Sequence, residues 1–382
     1  MKDGWVIKKL DEICNVFNGS TPLRRKKEFW DNGSINWFTI EDIRKQGRII
    51  NHTSQKITEI GYESSSLKLL PKKTILICCT ASVGEYAITN IELTTNQQFN
   101  GLVVIDKKEV LPEYLFYFTS TVKKKLLNVS GKTTIDFVSI KKLKSLKIPI
   151  PPIEEQQQIV QILDEAFAKI DQAIANIEQN IKNAEDLFQS KLNQIFSQQG
   201  EGWEEKKLGE VLKLKSGTNL PAKKMITGDV PVYGGNGIAG YHNEANLEGK
   251  YVIIGRVGAQ CGNVRFLDEK FWLTDNAFRV SEFKFDFDFR FLEAYLNYKN
   301  LRSFARQSAQ PVISNSSLKN VMLSFPLNLE TQKSISSNIE SLSQRKDLII
   351  NKYESKLQNL EELKKSLLEK AFSGELIKNT LK

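Results

Sequence analysis

The chain has 382 residues, of which 40% are apolar and 26% charged, with four cysteines and a formal charge of +9. That balance excludes a disordered chain and a small domain stapled by disulfides, and leaves room for two domains plus something extended. The charge is unevenly placed: residues 1–152 hold 24 Lys/Arg against 15 Asp/Glu, residues 153–200 hold 3 against 8, and residues 201–382 hold 27 against 22.

The positive excess falls on stretches with globular composition, where a phosphate backbone could use it, although a merely basic protein has the same totals. Cys14, Cys78, Cys79 and Cys261 form no C-x-x-C pair, and His52 and His242 complete no zinc-ligand spacing, so neither a disulfide framework nor a metal site is expected. A reducing cytoplasm is the expected location. No signal peptide precedes the charged start, and no apolar run approaches the roughly 20 residues of a membrane span.

The chain reads as one unit written twice. Trp5-Val-Ile-Lys-Lys-Leu10-Asp-Glu12-Ile13 returns as Trp203-Glu-Glu-Lys-Lys-Leu208-Gly-Glu210-Val211, followed by Gly19 and Gly217 respectively. Ser82-Val83-Gly84 is echoed by Arg256-Val257-Gly258, and Thr95-Asn96-Gln97-Gln98-Phe99 by Thr274-Asp275-Asn276-Ala277-Phe278. After Pro151 and Pro326, each copy continues into Glu-x-Gln, taken as Glu155/Gln157 and Glu330/Gln332.

The first part of each unit mixes short apolar runs with turn residues. Thr74–Cys79, Gly101–Ile105 and Lys250–Ile254 predict buried strands; Pro112–Phe118 and Phe289–Leu296 predict short helices. The second part predicts a long helix. From Ile153 to Ser197 there is neither Pro nor Gly, and Val160, Phe167, Ile174, Ile181, Phe188 and Ile195 recur every seven residues, with Leu163, Ile170, Ile177 and Ala184 offset by three. In the second copy Ile335, Leu342, Ile349 and Leu363 share that spacing, with Ile339, Tyr353, Leu360 and Leu367 offset by four and Lys346 and Lys356 interrupting. These are coiled-coil seams on helices near 65 Å long at about 1.5 Å per residue. The partner of each is expected to be the other copy in the same chain, with an intermolecular coiled coil as the alternative. The predicted fold is α+β: a first globular domain at 1–152, a long helix at 153–200, a second domain at 201–326 and a second long helix at 327–382.

No catalytic constellation emerges. Gly235-Asn-Gly237-Ile-Ala-Gly240 spells G-x-G-x-x-G, but Pro231 precedes it and no convincing helix follows, which predicts a tight loop. Gly131-Lys132-Thr133 mimics the end of a P-loop whose first glycine is replaced by Leu126. Asp275 with Glu282-Phe-Lys284 faintly spells a metal-dependent nuclease pattern. Pro151-Pro152 is preceded by Ile150, so no Asn/Asp-Pro-Pro-aromatic methyltransferase tetrad exists there.

Residues suited to DNA do emerge. The first domain carries Arg24, Arg25, Lys26, Lys27, Trp37, Arg44, Arg48, Asn96, Gln97, Gln98, Lys132 and Thr133 in loop-like stretches. The second carries Lys223, Lys224, Tyr233, Asn236, Tyr241, His242, Arg256, Arg279, Arg302 and Arg306. Lys and Arg pair with phosphates, Arg can fork onto guanine, and Asn or Gln onto adenine.

Gly19-Ser-Thr-Pro22, Pro231-Val-Tyr-Gly-Gly-Asn-Gly237, Ile148-Pro-Ile-Pro-Pro-Ile-Glu-Glu-Gln156 and Leu363-Lys-Lys-Ser-Leu-Leu-Glu-Lys-Ala-Phe-Ser-Gly-Glu-Leu376, in this alternating arrangement, resemble the specificity subunits of type I restriction–modification systems. The resemblance covers essentially the whole chain; Ser324-Phe-Pro-Leu-Asn-Leu329 departs from it by lacking the proline pair. It implies two target recognition domains, each reading half of a split site in double-stranded DNA, and an antiparallel helix pair that docks two modification subunits. It also implies a chain that binds no cofactor, with S-adenosylmethionine, ATP and magnesium on the modification and restriction partners. The competing possibilities are the specificity part of another restriction type, a coiled-coil scaffold for proteins, and a nuclease using Asp275 and Glu282.

Overall fold

The computed structural model of the chain describes residues 4–80, 82–122, 138–198, 200–306 and 311–377. They form two compact units: one from residues 1–176 with 356–382, the other from 177–355.

In the first unit, β1 (Val6–Lys9) pairs antiparallel with β10 (Lys147–Ile150), closing the globular part where it meets the long helix. Between them lie a five-stranded sheet and a three-stranded one. The larger has the order β2 (Cys14–Asn18), β9 (Phe99–Val104), β6 (Ile75–Cys78), β7 (Tyr86–Thr89) and β4 (Ile49–Ile50). The smaller has β5 (Gln55–Ile57), β3 (Ile35–Phe38) and β8 (Thr94–Thr95). Every residue of β6 and β7 is buried, as the unbroken apolar run at 74–79 requires. The helices here are α1 (Leu10–Ile13), α2 (Ile40–Gln46), α3 (Glu59–Glu63), α4 (Pro112–Thr119) and α5 (Ile140–Lys144). The long helix α6 then runs from Ile153 to Ser197.

The second unit repeats the plan. β11 (Trp203–Lys207) pairs with β18 (Met322–Pro326), and a six-stranded sheet has the order β12 (Leu212–Ser216), β17 (Ala277–Phe283), β15 (Leu247–Gly255), β16 (Val264–Leu273), β13 (Val230–Gly234) and β14 (Gly237–His242). Helices α7 (Leu208–Val211), α8 (Phe289–Tyr298) and α9 (Asn315–Leu318) correspond to α1, α4 and α5, and the long α10 (Leu329–Ser373) to α6. Parallel pairing recurs in the same place: Phe38 lies opposite Thr95 as Tyr233 lies opposite Leu273.

Each long helix starts on a fully buried glutamine. Gln156 accepts a hydrogen bond from Leu111 N at 2.9 Å and donates to Glu109 O and Pro151 O at 2.8 and 2.9 Å. Gln332 accepts from Asp288 N at 2.8 Å and donates to Asp286 O and Pro326 O at 3.2 and 2.8 Å. The partner of Gln332 in the repeat is therefore Gln156, and the motif is Glu154-x-Gln156; Gln157, the residue expected from the sequence, is exposed. The echoes inside the sheets also shift. Gly84 matches Gly262, each at positive φ with its N–H on the carbonyl of Cys78 or Gly255, so Gly258 is not its counterpart. Gln98 matches Asn276, not Ala277, through the bonds from Cys79 N and Arg256 N to their carbonyls.

The long helices pair antiparallel within each unit. In the first, Leu163, Ile159 and Ala371 are buried together, and Lys364 Nζ lies 2.5 Å from Asp171 Oδ1 and 5.8 Å from the Phe167 ring centre. Phe372, at the end of α10, meets Tyr114 and Phe118 of α4 at 5.4 and 5.5 Å. In the second, Lys346 Nζ stands 4.8 Å over Phe188, and Phe196, at the end of α6, meets Tyr295 and Tyr298 of α8 at 5.0 and 4.7 Å. Each globular part is thus gripped by the start of one long helix and the end of the other.

On α6 the inward positions hold the heptad: Val160, Phe167, Ile174, Ile181, Phe188 and Ile195 are half-buried, while Leu163, Ile170 and Ile177 are buried. On α10, Ile335, Ile339, Leu342, Tyr353, Leu360 and Leu367 also face inward. Ile349 and Leu363 do not; they are 44% and 46% exposed, and Lys346, Ile350, Leu357 and Lys364 take the inward places instead. Two successive steps of four, 342 to 346 to 350, shift the stripe by one residue, the pattern of a stutter. A half-buried lysine is tolerated at 346 and 364 because its ammonium lies over an aromatic ring and beside a carboxylate, Asp347 for Lys346 and Asp171 for Lys364.

Removing the Gln156 or Gln332 amide leaves three backbone groups without that partner, one from a buried bond and two from part-buried ones. Gln156→Ala and Gln332→Ala are each expected to destabilise the chain by about 3 kcal/mol, given roughly 1–3 kcal/mol per unsatisfied buried group. Chemical denaturation checks this, with Gln157→Ala as the control expected to leave the transition in place.

Candidate nucleic-acid interface

In both units a loop leaves the first sheet strand at a glycine that no other residue could replace. A Cβ at Gly19 would lie 2.0 Å from Asn96 O, and one at Gly217 would lie 2.2 Å from Leu273 O. The loop is then stitched to the turn after β8 or β16: Gly19 N and Ser20 N donate to Phe99 O and Thr95 O, and Gly217 N and Thr218 N to Ala277 O and Leu273 O. A tryptophan indole closes each junction, Trp37 on Ser20 O at 3.1 Å and Trp272 on Thr218 O at 3.0 Å.

In the first unit this frame brings two of the expected groups together. Thr21 Oγ1 donates to Gln97 Oε1 at 2.5 Å, tying the loop of Arg24, Arg25, Lys26 and Lys27 to the Asn96-Gln97-Gln98 turn. All four basic residues are exposed. Arg24 stacks on Trp30 and Trp37, and partial burial there lowers its pKa below the ordinary guanidinium value. Asn96 is buried and spends its side chain on Gln98, so it shapes the turn while Gln97 is exposed. Arg44 and Arg48 lie elsewhere, on α2 and just beyond it. Arg44 pairs with Glu41 at 2.5 Å; Arg48 donates to Tyr86 Oη at 2.6 Å and lies 4.2 Å over its ring. Lys132 and Thr133 lie outside the described residues.

In the second unit the G-x-G-x-x-G sequence forms the β13–β14 hairpin, not a phosphate cradle before a helix. Its tip is pinned to the loop after β15: Asn236 Oδ1 accepts from Gln260 N at 2.9 Å. That loop holds Arg256, whose Nη1 donates to Asp275 O at 3.3 Å while its buried Nε has no partner among the described residues. Arg302 donates to Ala259 O in the same loop, and Arg306 is exposed beside it in sequence, its backbone N bonded to Val312 O. Lys223 and Lys224 form an exposed 3₁₀ turn, and Tyr241 is 55% exposed on the edge strand β14. Arg279 is half-buried on β17, 5.7 Å from the Tyr251 ring.

Four of the expected residues are turned inward. Trp37, Tyr233, His242 and Asn96 are all 9% exposed or less. Tyr233 Oη donates to Glu269 at 2.8 Å, and His242 Nδ1 accepts from Ile226 N at 3.0 Å, next to the Lys223–Lys224 turn. Their polar atoms are used internally because loops that carry charge outward need an interior scaffold to hold them. Trp30 and Gln55, which the sequence reading passed over, frame Arg24; the clue was an aromatic six residues after an arginine run.

The nuclease pattern does not assemble. Asp275 is in the turn before β17 and Glu282 near the far end of that strand, roughly 15 Å or more away at about 3.3 Å per residue. Glu282 instead pairs with Lys213 at 2.7 Å. Among the described residues no group of three or more His, Cys, Asp or Glu could hold a metal ion, and no helix is long and apolar enough to cross a membrane. Burial pushes the Cys14 thiol up to about 12 and the Cys79 thiol up to about 11, so both are protonated at neutral pH.

The sequence matches the model of the type I restriction modification DNA specificity domain over residues 2–183 and 200–359. It is 34% identical over 340 residues to the type I restriction enzyme EcoprrI specificity subunit of Escherichia coli, covering 83% of this chain and 82% of that one. The fold resembles a chain from a solved type I R-M system, with a TM-score of 0.82 at 19% identity over 98% of this chain and 99% of that one. It also resembles the HsdS subunit of Thermoanaerobacter tengcongensis, with a TM-score of 0.61 at 20% identity over 98% of each chain. The duplicated frame, the paired long helices and these matches together place the chain in the family of type I restriction–modification specificity subunits.

Proposed function

We propose that each unit reads one half of a bipartite target in duplex DNA, and that α6 and α10 dock two modification subunits, with restriction subunits joining the complex. The observation that carries this is the repeat of one frame with different loops. The same glycine junction recurs at Gly19 and Gly217, closed by an indole from a different strand in each unit, yet one bears the Arg24–Lys27 run and the other the Asn236, Arg256 and Arg302 cluster. A conserved frame with divergent polar loops is what two non-identical half-sites require. Internal duplication gives a single chain two similar units, so two copies of one partner can bind equivalent surfaces.

In this reading the chain carries no bond-making chemistry. S-adenosylmethionine belongs to the modification subunits, which reach a base by flipping it from the stack; ATP and magnesium belong to the restriction subunits. The basic loops contribute phosphate contacts, so affinity falls steeply with salt, which separates this function from that of a protein-binding scaffold.

Two outcomes are expected. Replacing residues 201–326 by the matching module of another specificity subunit changes one half-site and leaves the other intact, as read by site selection from a randomised duplex library; simultaneous change of both contradicts independent reading. The purified chain, given S-adenosylmethionine, ATP and magnesium, neither methylates nor cuts duplex DNA, and turnover lost on Asp275→Ala or Glu282→Ala would contradict that.

A further inference from the structure

Arg24 is held differently from the other arginines of the first unit. Its guanidinium carbon lies 3.7 Å from the centre of the Trp30 ring and 4.5 Å from that of Trp37. The two rings meet edge to face at 4.9 Å and 86°, so they form a corner. Nη1 donates to Gln55 Oε1 at 2.6 Å, which fixes the rotation of the guanidinium plane within that corner. The backbone beneath is fixed too: Trp37 Nε1 donates to Ser20 O, Trp30 Nε1 to Leu23 O at 3.4 Å, and Lys26 N to Leu23 O at 3.1 Å.

A surface arginine ordinarily samples many rotamers, and aiming one costs entropy. Here that cost is met in the folded chain before any ligand arrives. Only one guanidinium donor is engaged among the described hydrogen bonds, no ion pair to Arg24 occurs among the described residues, and the residue stays exposed. Arg44, by contrast, faces Glu41, and Arg48 is engaged by Tyr86. A fixed, planar, outward fork without a carboxylate matches a planar pair of acceptors. In DNA two groups offer that geometry: O6 with N7 of guanine, and a phosphate. Arg25, Lys26 and Lys27 already supply exposed charge beside it, Lys26 paired with Glu28 at 3.5 Å, which is sufficient for phosphates and needs no aromatic corner.

We propose that Arg24 reads a guanine of the first half-site in the major groove, with Trp30, Trp37 and Gln55 as positioning residues; this rests on the DNA-selecting function above. Arg24→Lys tests it, since lysine keeps the charge and loses the fork. The full-length chain, assembled with its modification subunits, is used to select from a randomised duplex library, as wild type and as the variant. Thermal unfolding of the variant chain is expected to match the wild type. The wild type is expected to require G at one position that Arg24→Lys no longer selects, with the rest of the site unchanged. Affinity for the wild-type site should fall about 5- to 150-fold, the range of one good bidentate base contact, while affinity for unrelated duplex holds. Retention of the full preference at every position overturns the assignment. So does a uniform loss across all sequences with a shallower salt dependence, which marks a phosphate contact. A wild-type complex that selects no sequence at all overturns the DNA-selecting function itself, and the assignment with it.

Discussion

Each 45-residue helix of this chain begins where a buried side-chain amide meets three backbone groups. Gln156 and Gln332 are both 0% exposed, and each ties the first turn of a long helix to the segment that leads into α4 or α8. A glutamine is suited to this because it offers an acceptor and two donors from one planar group, and each atom finds a partner. The helix direction relative to its own globular part follows from that junction. Once the direction is set, the apolar stripe must be covered, and in each unit the other long helix covers it in antiparallel fashion. The aromatic contacts of Phe372 with α4 and of Phe196 with α8 complete the same grip from the opposite end.

That arrangement separates what must stay constant from what can vary. The closing strand pairs, the glycine junctions and the helix grip are nearly superimposable in logic, residue for residue, between the two units. The loops between them are not: an arginine-lysine run on an aromatic corner in one, a pinned hairpin with clustered arginines in the other. A recognition protein gains by this division, because the loops can change without touching the packing that positions them.

Much of this was legible in the sequence where periodicity carries the information. The seam of α6 follows its seven-residue repeat from Val160 to Ile195 because nothing disturbs it. On α10 the repeat misled at Ile349 and Leu363, since residue type alone does not show that Lys346 occupies an inward place and shifts the stripe. Repeat matching found the Glu-x-Gln junction but took Gln157 for Gln156, because two glutamates precede three glutamines and only the hydrogen bonds tell them apart. The site was legible as a composition and less so as a geometry. Arg24 and Lys26 were visible as charge, but nothing in the sequence marked Trp37, Tyr233, His242 and Asn96 as buried. A polar or aromatic residue in a loop gives no sign in sequence of whether its polar atom faces solvent or a neighbour's backbone.

The most direct test of the account is the methylation pattern of a host genome with and without this chain, its modification subunits being present in both. Sequencing that reports methylated bases is expected to show one motif that depends on the chain, made of two specified segments separated by unread positions. A single contiguous motif, or a pattern indifferent to the chain, would contradict the claim that its two units select DNA sequence by halves.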